Sequence, residues 1–297
     1  MQKEKIEHFY DKHYKKFILI PIIILIFSIS VISYEYSKYG DFAQKDISLK
    51  GGTSISIYTE NVIDITNLEN QLKEEFPGSD VVVRKITEFS TGKQLGIITD
   101  VSDIKSTSLK EKLSKYLNIE LTSENSSIEE TGSTLGKAFY KNMMVALLFA
   151  FLLMAITVFI VFRVFIPSVT VILCAFIDII ATLAVIDILG IKLSTGGIAA
   201  FLMLIGYSVD TDILLTTRVL KRKEGSIFER MTGSMKTGLT MTLTTITVVL
   251  VGFIISPSFA LKQIFLILLI GCLWDIVNTW LSNCALLYWY CKNKGIQ

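Results

Sequence analysis

Histidine is almost missing from this sequence of 297 residues. Its two histidines, His8 and His13, both lie within the first thirteen positions. The apolar segments further along therefore have no histidine to ligate a metal ion, carry a proton or act as a catalytic base. The one long polar region, 35–137, pairs no nucleophile with a base and gathers no set of metal ligands. We expect no enzyme activity, no metal site and no cofactor.

Cysteine is also scarce, and its distribution excludes a disulfide framework. The four cysteines all fall in or beside apolar segments, and none lies in the polar region 35–137. Isolated cysteines in apolar helices are usually packing residues, because the thiol behaves as a small apolar group. We interpret all four in this way: Cys174, Cys272, Cys284 and Cys291.

Apolar residues are what the sequence has in abundance. They make up 51% of the chain, and the mean hydropathy is +0.54, which favours the membrane class. Six apolar runs are long enough to cross the roughly 30 Å hydrocarbon layer. The first run lacks a convincing small-residue cleavage site, so we predict an uncleaved anchor. The predicted spans are 17–34 and, within 138–291, about 142–163, 168–190, 196–218, 238–257 and 263–291.

Lysine and arginine are distributed unevenly along the flanks of these runs. The segment 1–16 carries five lysines and the connection 219–237 carries five basic residues. The connections after the third and fifth runs carry one lysine each. Because basic flanks stay in the cytoplasm, we predict a multi-pass protein of the cell membrane with both termini, 1–16 and 292–297, cytoplasmic. The region 35–137 then lies outside.

The polar region 35–137 alternates strand and helix patterns. GTSISIYTE, DVVVRKITE and KQLGIITDV have strand character, the last two are joined by the hairpin signal FSTG, and a last strand is predicted near 127–131. DITNLENQLKEEF and STSLKEKLSKYL space their apolar residues along one helical face. The order β-α-β-β-α-β predicts an extracytoplasmic ferredoxin-like α/β domain between the first and second transmembrane helices.

Few acidic residues interrupt the apolar runs. Placing a charged carboxylate near the bilayer centre costs at least about 2.5 kcal/mol of free energy. Asp178 and Asp275 lie near the middle of their runs. Asp210 and Asp212 lie slightly towards the cytoplasmic end of the fourth run. These two point about 200° apart on a helix, so they do not face one cavity together. Asp210 shares its face with Arg218, two turns further on, and we therefore predict that Asp210 is the inward acid.

Threonines are concentrated in the fifth run, where TGLTMTLTTIT holds six within eleven residues. Threonine hydroxyls bond either to their own helix or across to another helix, and this clustering favours a polar face towards other helices. The residues predicted for that face are Thr240, Thr244, Thr245 and Thr247. Acids and hydroxyls together have two interpretations: an ion relay, in which carboxyls alternate between charged and neutral forms, or a static polar interface.

Five motifs follow one another along the chain: SLKGGTSISI with Gly51, Gly52 and Thr53 after the first run, GSTLGKAF before the second, Asp178 in the third, GYSVDTDILLTTR in the fourth and MTGSMKTGLTMTLTTITVVL in the fifth. In this order they resemble the SecD/SecF family of protein-export membrane proteins, in the RND superfamily, over about residues 15–290. The fourth motif has Asp-Thr-Asp, as in the archaeal branch, where bacterial members have Asn-Asp-Thr. The departure leaves open whether Asp210 or Asp212 takes the family's role.

The resemblance implies a function that composition alone does not indicate. It implies half of an RND architecture, a SecD partner, and association with the SecY translocation channel and the translocating secretory polypeptide. It also implies that ion flow, of protons, is coupled to late steps of protein export, and no nucleic acid is expected among the partners. The candidates for the ion relay are Asp178, Asp210, Asp212, Arg218 and Asp275.

Three other functions compete with this one. A small-molecule exporter half of RND type would have the same span pattern, and a static structural subunit would have the same polar residues. An intramembrane aspartyl protease would also place aspartates on separate spans. The protease is disfavoured, because Tyr207 is followed by Ser208 rather than by aspartate and no Gly-x-Gly-Asp motif precedes Asp210.

Overall fold

The computed structural model of the chain describes residues 2–59, 61–87, 92–222, 224–256 and 258–295. The chain divides into two compact units. The membrane unit comprises 1–44, 145–192 and 196–297, and the α/β unit comprises 45–144 with 193–195.

Helices and strands account for most of the described residues. The strands are β1 (Gly52–Tyr58), β2 (Val81–Thr87), β3 (Gln94–Ser102) and β4 (Ser126–Thr131). The helices are α1 (Gln2–Phe17), α2 (Leu19–Tyr39), α3 (Ile47–Lys50), α4 (Ile65–Glu75), α5 (Ser106–Leu117), α6 (Ser133–Phe162), α7 (Phe165–Ile188), α8 (Thr195–Lys221), α9 (Ile227–Ile255), α10 (Phe259–Val277) and α11 (Cys284–Lys294). A π-helical turn, Asn278–Asn283, joins α10 to α11.

The α/β unit is a four-stranded antiparallel sheet in the order β2-β3-β1-β4. This order, with α4 following β1 and α5 following β3, is that of a ferredoxin-like domain, so the predicted fold is confirmed. Asp64 begins α4 by accepting the amide protons of Thr66 and Asn67, at 3.0 and 3.2 Å. The helical spacing then buries Leu68 and Leu72 against the sheet.

The hairpin between β2 and β3 is described only in part. Of the predicted FSTG connection, residues 89–91 lie outside the described residues. The two strands pair from Val81 opposite Val101 to Thr87 opposite Gln94, with a bulge after Ile86. The hairpin register is therefore fixed on both sides of that connection.

The Gly-Gly motif of the α/β unit allows close backbone contacts. Gly51 and Gly52 have φ angles of +89° and +144°, which side chains rarely adopt. A Cβ on Gly51 would lie 2.2 Å from the Cα of Ser133, and one on Gly52 would lie 2.3 Å from the carbonyl oxygen of Val101. The hydroxyl of Thr53 donates to the carbonyl of Ile104 at 2.6 Å. The motif is accounted for by packing within this unit.

Six helices of the described chain are long and apolar enough to cross a membrane: 7–39, 133–162, 165–188, 195–221, 227–255 and 260–294. They confirm the predicted multi-pass fold. Several extend past the apolar runs, since α6 begins at Ser133 and α9 begins at Ile227. The start of α9 has a capping box, in which Ser226 and Glu229 each accept the other's amide proton.

Burial distinguishes inner from outer helices in the membrane unit. In the apolar windows of α7 and α8, 56% of residues are buried, against 11% in α6 and 17% in α9. The last span, containing α10 and the π-helical turn, is intermediate at 44%. The side chains shared by α7, α8 and the last span therefore form the interior of this unit.

Candidate functional site

Three aspartates lie in the interior of the membrane unit. Asp178 on α7 and Asp212 on α8 are fully buried, and Asp275 on α10 is 3% exposed. No lysine or arginine of the described chain forms a salt bridge with any of them. We call these three side chains the carboxyl cluster. Each is held by hydroxyl and amide donors instead of a cation.

Asp178 is bonded by donors from two neighbouring helical elements. The hydroxyl of Ser208 on α8 donates to its Oδ2 at 2.6 Å, and Nδ2 of Asn278 in the π-helical turn donates to its Oδ1 at 2.5 Å. These two bonds join α7 to the elements that hold the other two acids. A buried carboxyl with a donor on each oxygen is fixed in orientation.

Thr279 lies between the other two acids of the cluster. Its Oγ1 is 2.9 Å from Oδ1 of Asp212 and 3.0 Å from Oδ1 of Asp275. A hydroxyl has one proton to donate. For both contacts to be hydrogen bonds, one of the two carboxyls must carry a proton and donate it to Thr279. The geometry thus suits a pair of carboxyls that share a proton through a hydroxyl.

Further donors complete the surroundings of this pair. The hydroxyl of Thr211 on α8 lies 3.1 Å from both oxygens of Asp275. Nδ2 of Asn283 donates to Oδ1 of Asp212 at 2.6 Å, while Oδ2 of Asp212 has no hydrogen-bond partner in the described part of the chain. The cluster therefore has spare capacity to accept a proton donor.

A cavity of about 150 Å³ leads from the surface of the membrane unit to the cluster. Its lining includes Asp275, which is buried, and Tyr207 and Asp210, which are exposed. Thr211, Thr242 and Thr245 line it too. A water molecule takes up roughly 30 Å³ of liquid volume, so a short chain of waters fits this space. Asp275 and Asp210 therefore line the same cavity.

The prediction that Asp210 is the inward acid is wrong. Asp210 is exposed at the mouth of the cavity, whereas Asp212 is fully buried. The face was chosen from Arg218, but Arg218 contacts α9 instead, donating to the carbonyl of Gly233 at 3.0 Å and to Oγ1 of Thr237 at 2.9 Å. The two aspartates do lie on different faces, and packing against the last span decides which face is inside.

The threonines predicted to form the polar face of the fifth span bond within their own helix. The hydroxyls of Thr240, Thr244, Thr245 and Thr247 all donate to carbonyls of their own helix, at 2.7 to 3.2 Å. Three of them, Thr240, Thr244 and Thr247, are exposed in this chain. Back-bonding satisfies a threonine hydroxyl without a neighbouring helix. Of the four, Thr245 reaches the cavity.

The prediction overlooked the hydroxyl and amide donors of the cluster, Thr279 and Asn283 above all. A signal was present in the sequence, because NTWLSN places four polar residues within six positions of an otherwise apolar run. The helical spacing of an ordinary α-helix does not put Asn278 and Asn283 on one face. The π-helical turn puts both on one face, and the residue pattern does not predict such a turn.

These features define a class: multi-pass membrane proteins with a ferredoxin-like domain after the first span and carboxyl groups buried among the later ones. The family described as "Protein export membrane protein SecD/SecF, C-terminal" matches residues 110–293. SecF of Methanocaldococcus jannaschii is 40% identical over 94% of this chain and 96% of its own length. SecF of Pyrococcus furiosus is 37% identical over 99% and 97%. The chain belongs to the SecD/SecF family, among its SecF members.

A solved structure has the same fold. SecDF of Thermus thermophilus matches with a TM-score of 0.72 at 18% sequence identity. The match covers 94% of this chain but 38% of the SecDF chain. This chain therefore spans well under half the length of that protein.

Proposed function

We propose that this chain is the SecF subunit of a SecD–SecF complex that assists protein export at the SecY channel, and that its carboxyl cluster passes protons. The names of its relatives support the role in export. The chain covers 38% of the solved SecDF chain, which leaves room for a second subunit of SecD type. The translocating secretory polypeptide is the substrate, and proton flow drives the late steps of its movement.

The observation that carries the proton-coupled part is the position of Thr279. One hydroxyl lies within hydrogen-bond distance of both Asp212 and Asp275, so the pair is suited to holding one proton and exchanging it. Each charge that crosses the membrane is worth about 2.3 kcal/mol per 100 mV. A few protons per cycle therefore supply enough free energy to bias a polypeptide outward.

The test uses vesicles containing this chain, SecD and SecY, with an imposed proton gradient. Asp212→Asn and Asp178→Asn should assemble with SecD yet lose the gradient-dependent stimulation of export, because an amide keeps hydrogen bonds but does not ionise. Glu129→Gln is the matched control, since Glu129 is an exposed acid on β4. It should export as the parent does.

A static polar interface makes the opposite forecast for the same variants. If Asp212→Asn and Asp178→Asn both retain full gradient-dependent stimulation, the cluster is structural and the relay is wrong. Asp210→Asn separates the cavity mouth from the cluster. Loss of stimulation in Asp210→Asn alone would move the ion path to the exposed face of α8.

A small-molecule exporter half is the second candidate, because it would share the fold and the buried acids. Crosslinking from an exposed position of the α/β unit to a nascent secreted polypeptide separates the two functions, as does copurification with SecY. Export predicts both results. An exporter of small molecules predicts neither.

The proposal includes an orientation, with both termini in the cytoplasm and the α/β unit outside. All four native cysteines are buried, so they give little background to an impermeant thiol reagent. In intact cells Ser108→Cys, on the exposed side of α5, should be labelled and Glu224→Cys should not. The reverse pattern would overturn the orientation.

A further inference from the structure

The π-helical turn interrupts the last span beside the carboxyl cluster. The amide of Cys284 donates to the carbonyls of Leu281 and Thr279, three and five residues earlier, where an α-helix would use the residue four earlier. Turns of this kind are rare, carry one extra residue, and occur frequently at functional sites. Of its six residues, five are buried and Leu281 is half-buried.

The turn changes which side chains face the acids. In an α-helix Asn278 and Asn283, five residues apart, would point about 140° from each other. With about 4.4 residues per turn they point only about 50° apart. Both amides accordingly donate into the cluster, Asn278 to Asp178 and Asn283 to Asp212. The wider turn lets one helix bond acids on two others.

Hydrogen bonding at the turn is incomplete on its acceptor side. Oδ1 of Asn278, Oδ1 of Asn283 and Oγ of Ser282 are buried and find no partner in the described ranges. The donor groups of the two asparagines, by contrast, are both directed at carboxyl oxygens. The turn therefore presents donors to two carboxyl groups of the cluster.

We infer that the π-helical turn is a positioning element for proton release, in which Asn283 holds Asp212 by its Nδ2 and Thr279 links Asp212 to Asp275. The inference rests on the proposed proton relay and assigns to this turn the control of the pH at which Asp212 loses its proton.

The other titratable groups near Asp212 are known from the packing around it. They are Cys174 and Asp178 on α7, Asp275 on α10 and Cys284 on α11. All of them stay in place in the variants below. A change in the titration of Asp212 therefore reports the lost donor.

The experiment follows the infrared band of protonated carboxyl groups in the purified full-length chain with SecD, across a pH series. The contribution of Asp212 to this band is the part that the Asp212→Asn variant lacks. In Asn283→Leu the pH at which Asp212 loses its proton should rise by about one unit, a tenfold change in proton concentration, because a hydrogen-bond donor to the charged carboxylate is lost.

Ser282→Ala is the matched control, since Ser282 lies in the same turn and its hydroxyl bonds neither carboxyl. It should titrate as the parent does. Identical titration of the parent and Asn283→Leu would overturn the inference. Gradient-driven export is a separate measurement. If the infrared shift appears but Asp212→Asn and Asp178→Asn retain full gradient-dependent stimulation of export, the proposed function is rejected and the role of the turn is not.

Discussion

In the α/β unit the central cluster consists of twelve apolar side chains, from Ile55 to Leu121, whereas the most buried side chains of the membrane unit include Asp178, Asp212, Asn278, Thr279 and Asn283. The surfaces are reversed as well. Val248 on α9 is 70% exposed and Leu153 on α6 is 61% exposed. One chain thus contains two opposite arrangements of polar and apolar residues.

The difference follows from the solvent that each unit is built for. Water drives apolar side chains of the α/β unit into its core. Lipid is as apolar as leucine, so it exerts no such force on the membrane helices, whose association depends on close packing and on hydrogen bonds between side chains. Buried acids are tolerated there because Ser208, Thr279 and the asparagines bond them.

The comparison predicts, as its largest effect, that the α/β unit alone folds in water. A fragment of residues 45–132 contains the whole sheet, both amphipathic helices and the apolar core. It should give a mixed α/β circular dichroism spectrum and a cooperative thermal transition. A random-coil spectrum would mean that the unit depends on the rest of the protein.

Leu113→Asp tests whether the apolar core of the α/β unit tolerates a charged side chain. Leu113 on α5 is fully buried, and an unpaired charge there should cost more than about 4 kcal/mol and unfold the fragment. Ser108→Asp, on the exposed side of the same helix, should leave the transition where it is. Equal behaviour of the two fragments in thermal unfolding would contradict the apolar core.

Gly271→Val tests whether the membrane interior is equally close-packed. A Cβ on Gly271 of α10 would lie 2.4 Å from Cδ1 of Leu204 on α8, so a larger residue must displace the buried Leu204 side chain, at about 1–3 kcal/mol. A Cβ on Gly206 of α8 would meet no described residue within 4 Å beyond its two chain neighbours and the backbone of its own helix. In detergent, Gly271→Val should lower the unfolding temperature and Gly206→Val should not.

The smallest effect concerns a surface acid of the α/β unit. The carboxylate of Glu130 on β4 accepts the amide proton of Ser106 at 3.1 Å, and hydrogen bonds from Ser106 lower the pKa of Glu130 from its usual 4.5. A carboxyl with a lowered pKa stabilises the folded state above its unfolded pKa, and this contribution disappears as the pH falls through the folded pKa.

Glu130→Gln should therefore lower the unfolding temperature of the fragment slightly at neutral pH, and the difference from the parent should vanish at acid pH. Glu129→Gln, at the exposed neighbouring position, is the control and should show no such pH dependence. A difference that persists unchanged in acid would show that the side chain acts through packing and not through its charge.

The residue pattern alone determined the β-α-β-β-α-β order, the two amphipathic helices and the six membrane spans. In water the apolar face of a helix such as α4 packs against the core, so the spacing of its apolar residues predicts which of them are buried. Asp178 and Asp275 were also located from the sequence, because an acidic residue within an apolar run can be recognised whichever way its side chain faces.

Only the tertiary structure decided which polar residues meet. In lipid both faces of a helix are apolar, so the sequence around Asp210 and Asp212 does not indicate which one faces inward, and contact with the last span selects Asp212. The threonines of α9 could bond their own helix or another, and the packing leaves most of them outside. The π-helical turn brings Asn278 and Asn283 to one face, and a helix with 3.6 residues per turn, which is what periodicity assumes, would have separated them.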